Sequence, residues 1–179
     1  MPAELLVGVT GGIAAFKTAA LVSALVQDGH GVTVVMTRAA RKFVGPATFR
    51  ALTARPVVTA SFDRHFPLGP HIELADKSQL FVVAPASADF LAKAACGLAD
   101  DLLSTLYLSF PGPVLLAPAM NTAMWQKPAV QRNIATLRTD GVHFIDPTEG
   151  WQSCRRKGPG RMAEPADIKA AIERLLKNQ

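Results

Sequence analysis

At 179 residues the chain has the length of one domain, enough to bury a core without disulfides or metals. Hydrophobic residues make up 49% and charged residues 18%, which excludes a disordered chain and fits a layered α/β protein. The net charge is +5, but Lys and Arg are scattered except at Arg155, Arg156, Lys157 and Arg161. Aromatic residues reach only 7%, so the basic stripe and stacking aromatics of a nucleic-acid binder are missing. An anionic small substrate explains the local cluster as well as solvation does.

The elements alternate in chain order. Leu5 to Val9 reads as a short buried strand, followed by a glycine turn at Thr10-Gly11-Gly12 and a helix with apolar spacing from Ile13 to Val26. Val32, Val34 and Val35 form a second strand ending at Thr37, and this βαβ order implies a parallel sheet. A helix from Pro46 to Ala54 places its proline in the first turn. The stretch from Arg55 to Lys77 is expected to be a long irregular loop. Leu80 to Ala84 is a strand, Ala88 to Cys96 a helix, and Asp100 and Asp101 open another helix to Ser109. Val114 to Ala117 is a strand that Pro118 stops, Pro128 to Thr139 a helix, Val142 to Ile145 a strand and Pro165 to Lys177 a final helix.

The expected architecture is an open, doubly wound parallel sheet of flavodoxin-like (Rossmann-like) type in a single domain spanning residues 1–179. Its strand ends converge on one ligand-binding edge. Gly8, Gly11 and Gly12 interrupt the first apolar stretch and no positive segment precedes it. Neither a signal peptide nor a membrane span is expected, and the reading is cytoplasmic with reduced thiols at Cys96 and Cys154.

Residues 117–125 stand out, because they set one amide, Asn121, among Met120, Met124 and Trp125 just beyond a strand end. Such an amide is solvated, structurally satisfied or aimed at a ligand. Thr10-Gly11-Gly12 either cradles a phosphate on backbone N–H groups or serves packing alone. It lacks the third glycine and the acidic residue of a dinucleotide site. Thr37 and Ser87 add hydroxyls at two further strand ends, each also a natural helix cap. His71 follows Gly69-Pro70, and an imidazole there suits a base as well as a packing role. No Cys or His spacing suits a metal. Residues 149–163 form a glycine-flanked basic loop around Cys154, either a solvated loop or a mobile flap over an anionic substrate.

Together these segments resemble the flavin-containing cysteine decarboxylases over nearly the whole chain. The family's P-x-M-N-x-x-M-W motif is complete from Pro118 to Trp125, and its C-x-x-x-G-x-G-R-M flap falls on Cys154 to Met162. Its histidine falls on His71, and its P-A-S-A-N-T segment on Pro85 to Phe90, with Asp89 and Phe90 replacing asparagine and threonine. Arg155 and Arg156 stand where the family usually has glycine and an acidic residue.

The resemblance implies FMN held by Gly11, Gly12, Thr37, Ser87 and Met120. It implies decarboxylation of 4′-phospho-N-pantothenoylcysteine to 4′-phosphopantetheine in coenzyme A biosynthesis, with His71, Asn121 and Cys154 catalytic. Asn121, Met124, Arg155 and Arg161 would face the substrate. It also implies a homotrimer or dodecamer and a separate synthetase, with no nucleic acid and no membrane. Decarboxylation of a peptide's C-terminal cysteine, or a regulatory FMN-binding role, are the alternatives that the same resemblance carries.

Overall fold

Successive residues of the first strand enter different layers. In a computed structural model of the protein, Leu5, Val7 and Val9 of β1 (Glu4–Val9) join one apolar cluster and Leu6 joins another, the two-residue period of a strand covered on both faces. Gly8 also faces the second layer, where an added Cβ would stand 2.6 Å from Leu103. The structure describes residues 2–178; Met1 and Gln179, the ends of the expected domain, lie outside the described residues.

On one face α1 (Ala15–Gln27) packs against α2 (Pro46–Thr53) and α8 (Pro165–Lys177). On the other, α3 (Pro70–Lys77) packs on α5 (Leu102–Ser109), and α4 (Ala88–Cys96) on α5 and α7 (Pro128–Thr139). Between them β1, β2 (Gly31–Met36), β3 (Leu80–Ala86), β4 (Val114–Pro118) and β5 (His143–Phe144) form a parallel sheet in the order β2-β1-β3-β4-β5. The strand order reverses between β1 and β3, and the crevice beyond the C-terminal ends of that pair is where such sheets bind ligands. The expected flavodoxin-like doubly wound sheet is present.

Four differences from the sequence reading matter. The stretch expected to be irregular contains α3, begun by Pro70 after a left-handed Gly69 (φ 94°) and carrying Glu73 in its first turn. Proline and glycine here mark a helix start, although their density reads as a loop. The third strand continues past Ala84 to Ala86, through a cis Ala84–Pro85 bond and a shift in register. A single helical turn, α6 (Thr122–Trp125), follows β4. The basic loop is an antiparallel hairpin of β6 (Thr148–Trp151) and β7 (Lys157–Arg161).

Helix α2 ends on Ala54 in the left-handed region (φ 53°, ψ 23°), with its N–H on the Arg50 carbonyl. An L-residue there clashes through its Cβ, and glycine avoids the clash. Ala54 is exposed and buries no methyl group. Ala54→Gly is therefore expected to stabilise the fold by about 1 kcal/mol, read as a higher midpoint in urea denaturation; an equal or lower midpoint contradicts the strain.

Candidate functional site

The loops beyond the strand ends are laced to one another in sheet order. Thr37 N–H donates to Val9 O (3.1 Å), joining β2 to β1. The Thr10 hydroxyl, 1% exposed, donates to Pro85 O (2.6 Å) and accepts from Ser87 N–H (3.0 Å), joining β1 to β3. Ala119 N–H donates to Ala86 O (3.1 Å), joining β3 to β4, and Met120 N–H donates to Gly160 O (2.9 Å), joining β4 to the hairpin. Thr10 thus serves the protein with both its donor and its acceptor, and the sites open to a ligand are its neighbours.

At the β1–α1 turn the two glycines differ. A Cβ on Gly11 would lie 2.4 Å from the Ala39 methyl, so this glycine answers to close packing between loops. Around Gly12 nothing lies within 4 Å of that position. Among the described residues the N–H groups of Gly11, Gly12, Ile13 and Ala14 have no partner within the chain, and they stand at the start of a helix of 13 residues. Free donors at a helix N-terminus attract a phosphate. Ser87 caps α4 by accepting from Phe90 N–H (3.3 Å), and Thr37 accepts from Ala40 N–H (3.1 Å); each hydroxyl keeps its own proton to donate. Both residues cap as the sequence allows, and among the described residues each hydroxyl retains a proton that no group of the chain accepts. A cleft of about 420 Å³ lined by Arg38, Arg41, Lys42 and Pro46 opens beside Thr37 and makes this edge cationic.

Asn121 resolves in the same way. It is the N-cap of α6, its Oδ1 accepting from Met124 N–H at 2.9 Å. The carbonyl is held, which leaves the exposed NH₂ group as a fixed donor. Met120 is half-buried against the second apolar cluster, while Met124 is 42% exposed beside the amide.

The hairpin lies on this loop, and its glycines make the contact possible. A Cβ on Gly158 would stand 2.4 Å from Thr122 Oγ1, and one on Gly160 (φ 122°) 2.3 Å from Met120 O. Gln152, 9% exposed, enters the same contact. Its Nε2 donates to Pro159 O (3.0 Å) and Met120 O (3.4 Å), and its Oε1 accepts from Thr122 N–H (3.2 Å). Thr122 Oγ1 donates to Pro159 O (2.9 Å). Cys154 Sγ lies 3.5 Å from Gln152 Oε1. Sequence reasoning assigned no role to Gln152 or Thr122, because neither has a spacing or a motif chemistry; only the docked hairpin shows them.

The hairpin's base is tied down by charge. Arg161 Nη2 (2.6 Å) and Lys17 Nζ (2.9 Å) share Glu164 Oε1. The Lys17 hydrogen bond holds the Glu164 carboxyl below the usual carboxylate range. A depressed carboxylate stabilises the fold above its unfolded pKa, and that contribution is lost as pH falls through the folded value. Arg155, at the exposed tip, adopts φ 61°, a backbone region that favours glycine.

His71 stands apart from this group. It is half-buried in the first turn of α3, its imidazole against Gly69, and its carbonyl accepts from Ser109 Oγ (3.0 Å) on α5. Among the described residues no hydrogen bond or ion pair joins His71 to Asn121 or Cys154. Asp89, the charged departure, points along α4 to Lys93 (3.4 Å), which also pairs with Asp100 (2.9 Å) and Asp101 (3.1 Å). Desolvation of Lys93 opposes its charge, but the Asp100 and Asp101 hydrogen bonds outweigh it and raise the pKa above the ordinary lysine value. The added carboxylate is thus turned toward a cation.

The profile of the Flavoprotein family matches residues 2–177. The chain belongs to the Flavoprotein family. It is 46% identical over 172 residues to the coenzyme A biosynthesis bifunctional protein CoaBC of Bacillus subtilis (strain 168), an alignment covering 96% of this chain and 42% of that protein. The chain therefore spans less than half the length of the curated relatives it matches. Among solved structures it resembles the FMN-dependent cysteine decarboxylase SpaF (36% identity, TM-score 0.87, covering 98% of this chain and 96% of that one). A cysteine-to-serine mutant of PPC decarboxylase complexed with pantothenoylaminoethenethiol is also similar (27% identity, TM-score 0.88, covering 99% and 100%). Among the described residues no helix is long and apolar enough to cross a membrane.

In this Flavoprotein-family chain the docking of hairpin on loop is open to a direct test. Gly160→Ala is expected to lift β7 from Met120, making residues 149–163 sensitive to limited proteolysis and costing about 1–3 kcal/mol of stability. Unchanged protease resistance would show that the close approach is dispensable.

Proposed function

We propose that the protein is an FMN-dependent decarboxylase of 4′-phospho-N-pantothenoylcysteine, forming 4′-phosphopantetheine for coenzyme A biosynthesis. The observation that carries this reading is the docked pair of Asn121 and the Cys154 hairpin at the C-terminal edge of a sheet whose switch-point turn presents free N–H groups. The likeness to the PPC decarboxylase complex supports it over the whole chain. The same edge fits a flavin mononucleotide: Gly11, Gly12 and the following N–H groups suit its phosphate, with the Ser87 and Thr37 hydroxyls beside them. Bound there, FMN supplies the two-electron oxidation and re-reduction of the substrate that the reaction needs.

The chain's own residues orient the substrate and manage its protons. Asn121 donates its NH₂ to the substrate carboxylate, and a neutral donor recognises that group without neutralising the charge that drives departure of CO₂. An oxidised thiol carbon, drawn as a thioaldehyde, accepts the electron pair released by the breaking C–C bond, as a ketone does in a β-keto acid. His71 takes a proton during the oxidation, a step that requires α3 to meet the substrate in the assembled enzyme. Cys154 delivers a proton when the resulting enethiol is reduced. Arg155, exposed at the tip, is the cation offered to the substrate phosphate, whereas Arg161 reaches substrate only by releasing Glu164. The flap would open and close on this base, in an oligomer of trimeric or dodecameric form.

The test is mass analysis of the products after incubating the flavin-loaded protein with 4′-phospho-N-pantothenoylcysteine. Saturated 4′-phosphopantetheine is expected; an enethiol as the final product would favour the peptide-cysteine reaction. Asn121→Asp keeps an N-cap for α6 but sets a negative charge against the carboxylate. It is expected to retain FMN and to lose turnover, and near-normal decarboxylation would remove Asn121 from that role. Cys154→Ser is expected to stop at the enethiol with reduced flavin, and undiminished saturated product would reduce Cys154 to a passive part of the flap.

A further inference from the structure

The Gln152 carboxamide touches both halves of the candidate site. Its Nε2 reaches Met120 O, immediately before Asn121, and its Oε1 reaches Thr122 N–H, immediately after it. The same Oε1 lies 3.5 Å from Cys154 Sγ, the sulfur's hydrogen-bond partner within the chain among the described residues. The backbone completes the clamp, Gln152 N–H donating to Arg156 O (2.9 Å) and Arg155 N–H to Gln152 O (2.9 Å), so the tip that carries Cys154 is folded around this residue.

We infer that Gln152 is a positioning residue that pins the Cys154 hairpin to the Asn121 loop and fixes where the thiol sits relative to the carboxylate-binding amide. This rests on the decarboxylase reading for its catalytic meaning, but its mechanical part stands on geometry alone. A glutamine suits the place because the contact needs donors toward two carbonyls and an acceptor toward an N–H and an S–H, which one amide supplies and no charged group does. Thr122 Oγ1 also lies 3.3 Å from Oε1, but its single proton is directed to Pro159 O, 2.9 Å away. The Oε1 lone pairs are therefore left to Thr122 N–H and Cys154 S–H.

The two halves depend on Gln152 unequally. Asn121 keeps its own cap bond to Met124 N–H whatever Gln152 does, whereas among the described residues Cys154 has only the amide. Removing the amide should accordingly spare the oxidative half, in which Asn121 acts, and impair the reductive half, in which Cys154 acts. A residue that merely holds the fold would lower both together.

The experiment uses the flavin-loaded protein, with Gln152→Met removing the polar atoms at similar length and Gln152→Glu restoring acceptor oxygens without the N–H donors. Without substrate, hydrogen exchange at the Met120 and Thr122 amides is expected to quicken about tenfold in Gln152→Met. With substrate, the ratio of saturated product to enethiol is expected to fall about tenfold in Gln152→Met, at nearly unchanged flavin reduction, and to recover in part in Gln152→Glu. Unchanged exchange in Gln152→Met overturns the pinning. An unchanged product ratio, or no recovery in Gln152→Glu, overturns the role of Oε1 toward Cys154. If the wild-type protein forms no decarboxylated product, the decarboxylase reading fails while the exchange result still decides the pinning.

Discussion

The Thr10 hydroxyl is the contact on which the functional edge depends. It is buried at the strand-order reversal between β1 and β3, donating to Pro85 O and accepting from Ser87 N–H. A buried hydroxyl with donor and acceptor both satisfied locks two loops at once, and removing it would leave a carbonyl and an N–H without partners in a place water barely reaches. From this lock the lace runs outward in both directions, to Thr37 through Val9 O and to Met120 through Ala86 O and Ala119 N–H. The free donors at this edge are fixed in number and position because their neighbours are already committed to one another.

The hairpin extends the same logic beyond the sheet. Gly158 and Gly160 let β7 approach Thr122 and Met120 more closely than any side chain would allow, and Gln152 fills the polar space so created. Two kinds of attachment hold it. At the base, Glu164 is shared by Lys17 and Arg161, and this ionic tie loosens as pH falls through the depressed carboxyl pKa. At the tip the contacts are hydrogen bonds made by the uncharged Gln152 amide. The hairpin is thus attached by charge at its base and by an uncharged amide at its tip.

Much of this was legible in the chain. The β-branched runs and helical spacings located the sheet strands and most helices, because burial on both faces leaves a nearly continuous apolar signature. The P-x-M-N-x-x-M-W motif pointed at Asn121. What periodicity could not show was α3, where Gly69 and Pro70 read as loop residues although one permits the left-handed entry and the other starts the helix. It also missed Gln152, a common polar residue whose significance lies in four neighbours 2 to 32 positions away.

The sequence by itself determined the layered parallel fold and named the groups with chemistry to offer, because these follow from local patterns of apolar, glycine and polar residues. The tertiary structure alone decided which atoms of each group the protein itself engages. Asn121 gives its oxygen to α6 and keeps its NH₂ free, Gly11 packs while Gly12 stays open, and Thr10 is wholly consumed while Ser87 keeps a proton. For Thr10 and Gly11 that division depends on partners that arrive from distant segments, which no local pattern encodes, whereas the Asn121 and Ser87 caps are bonds to residues three positions on.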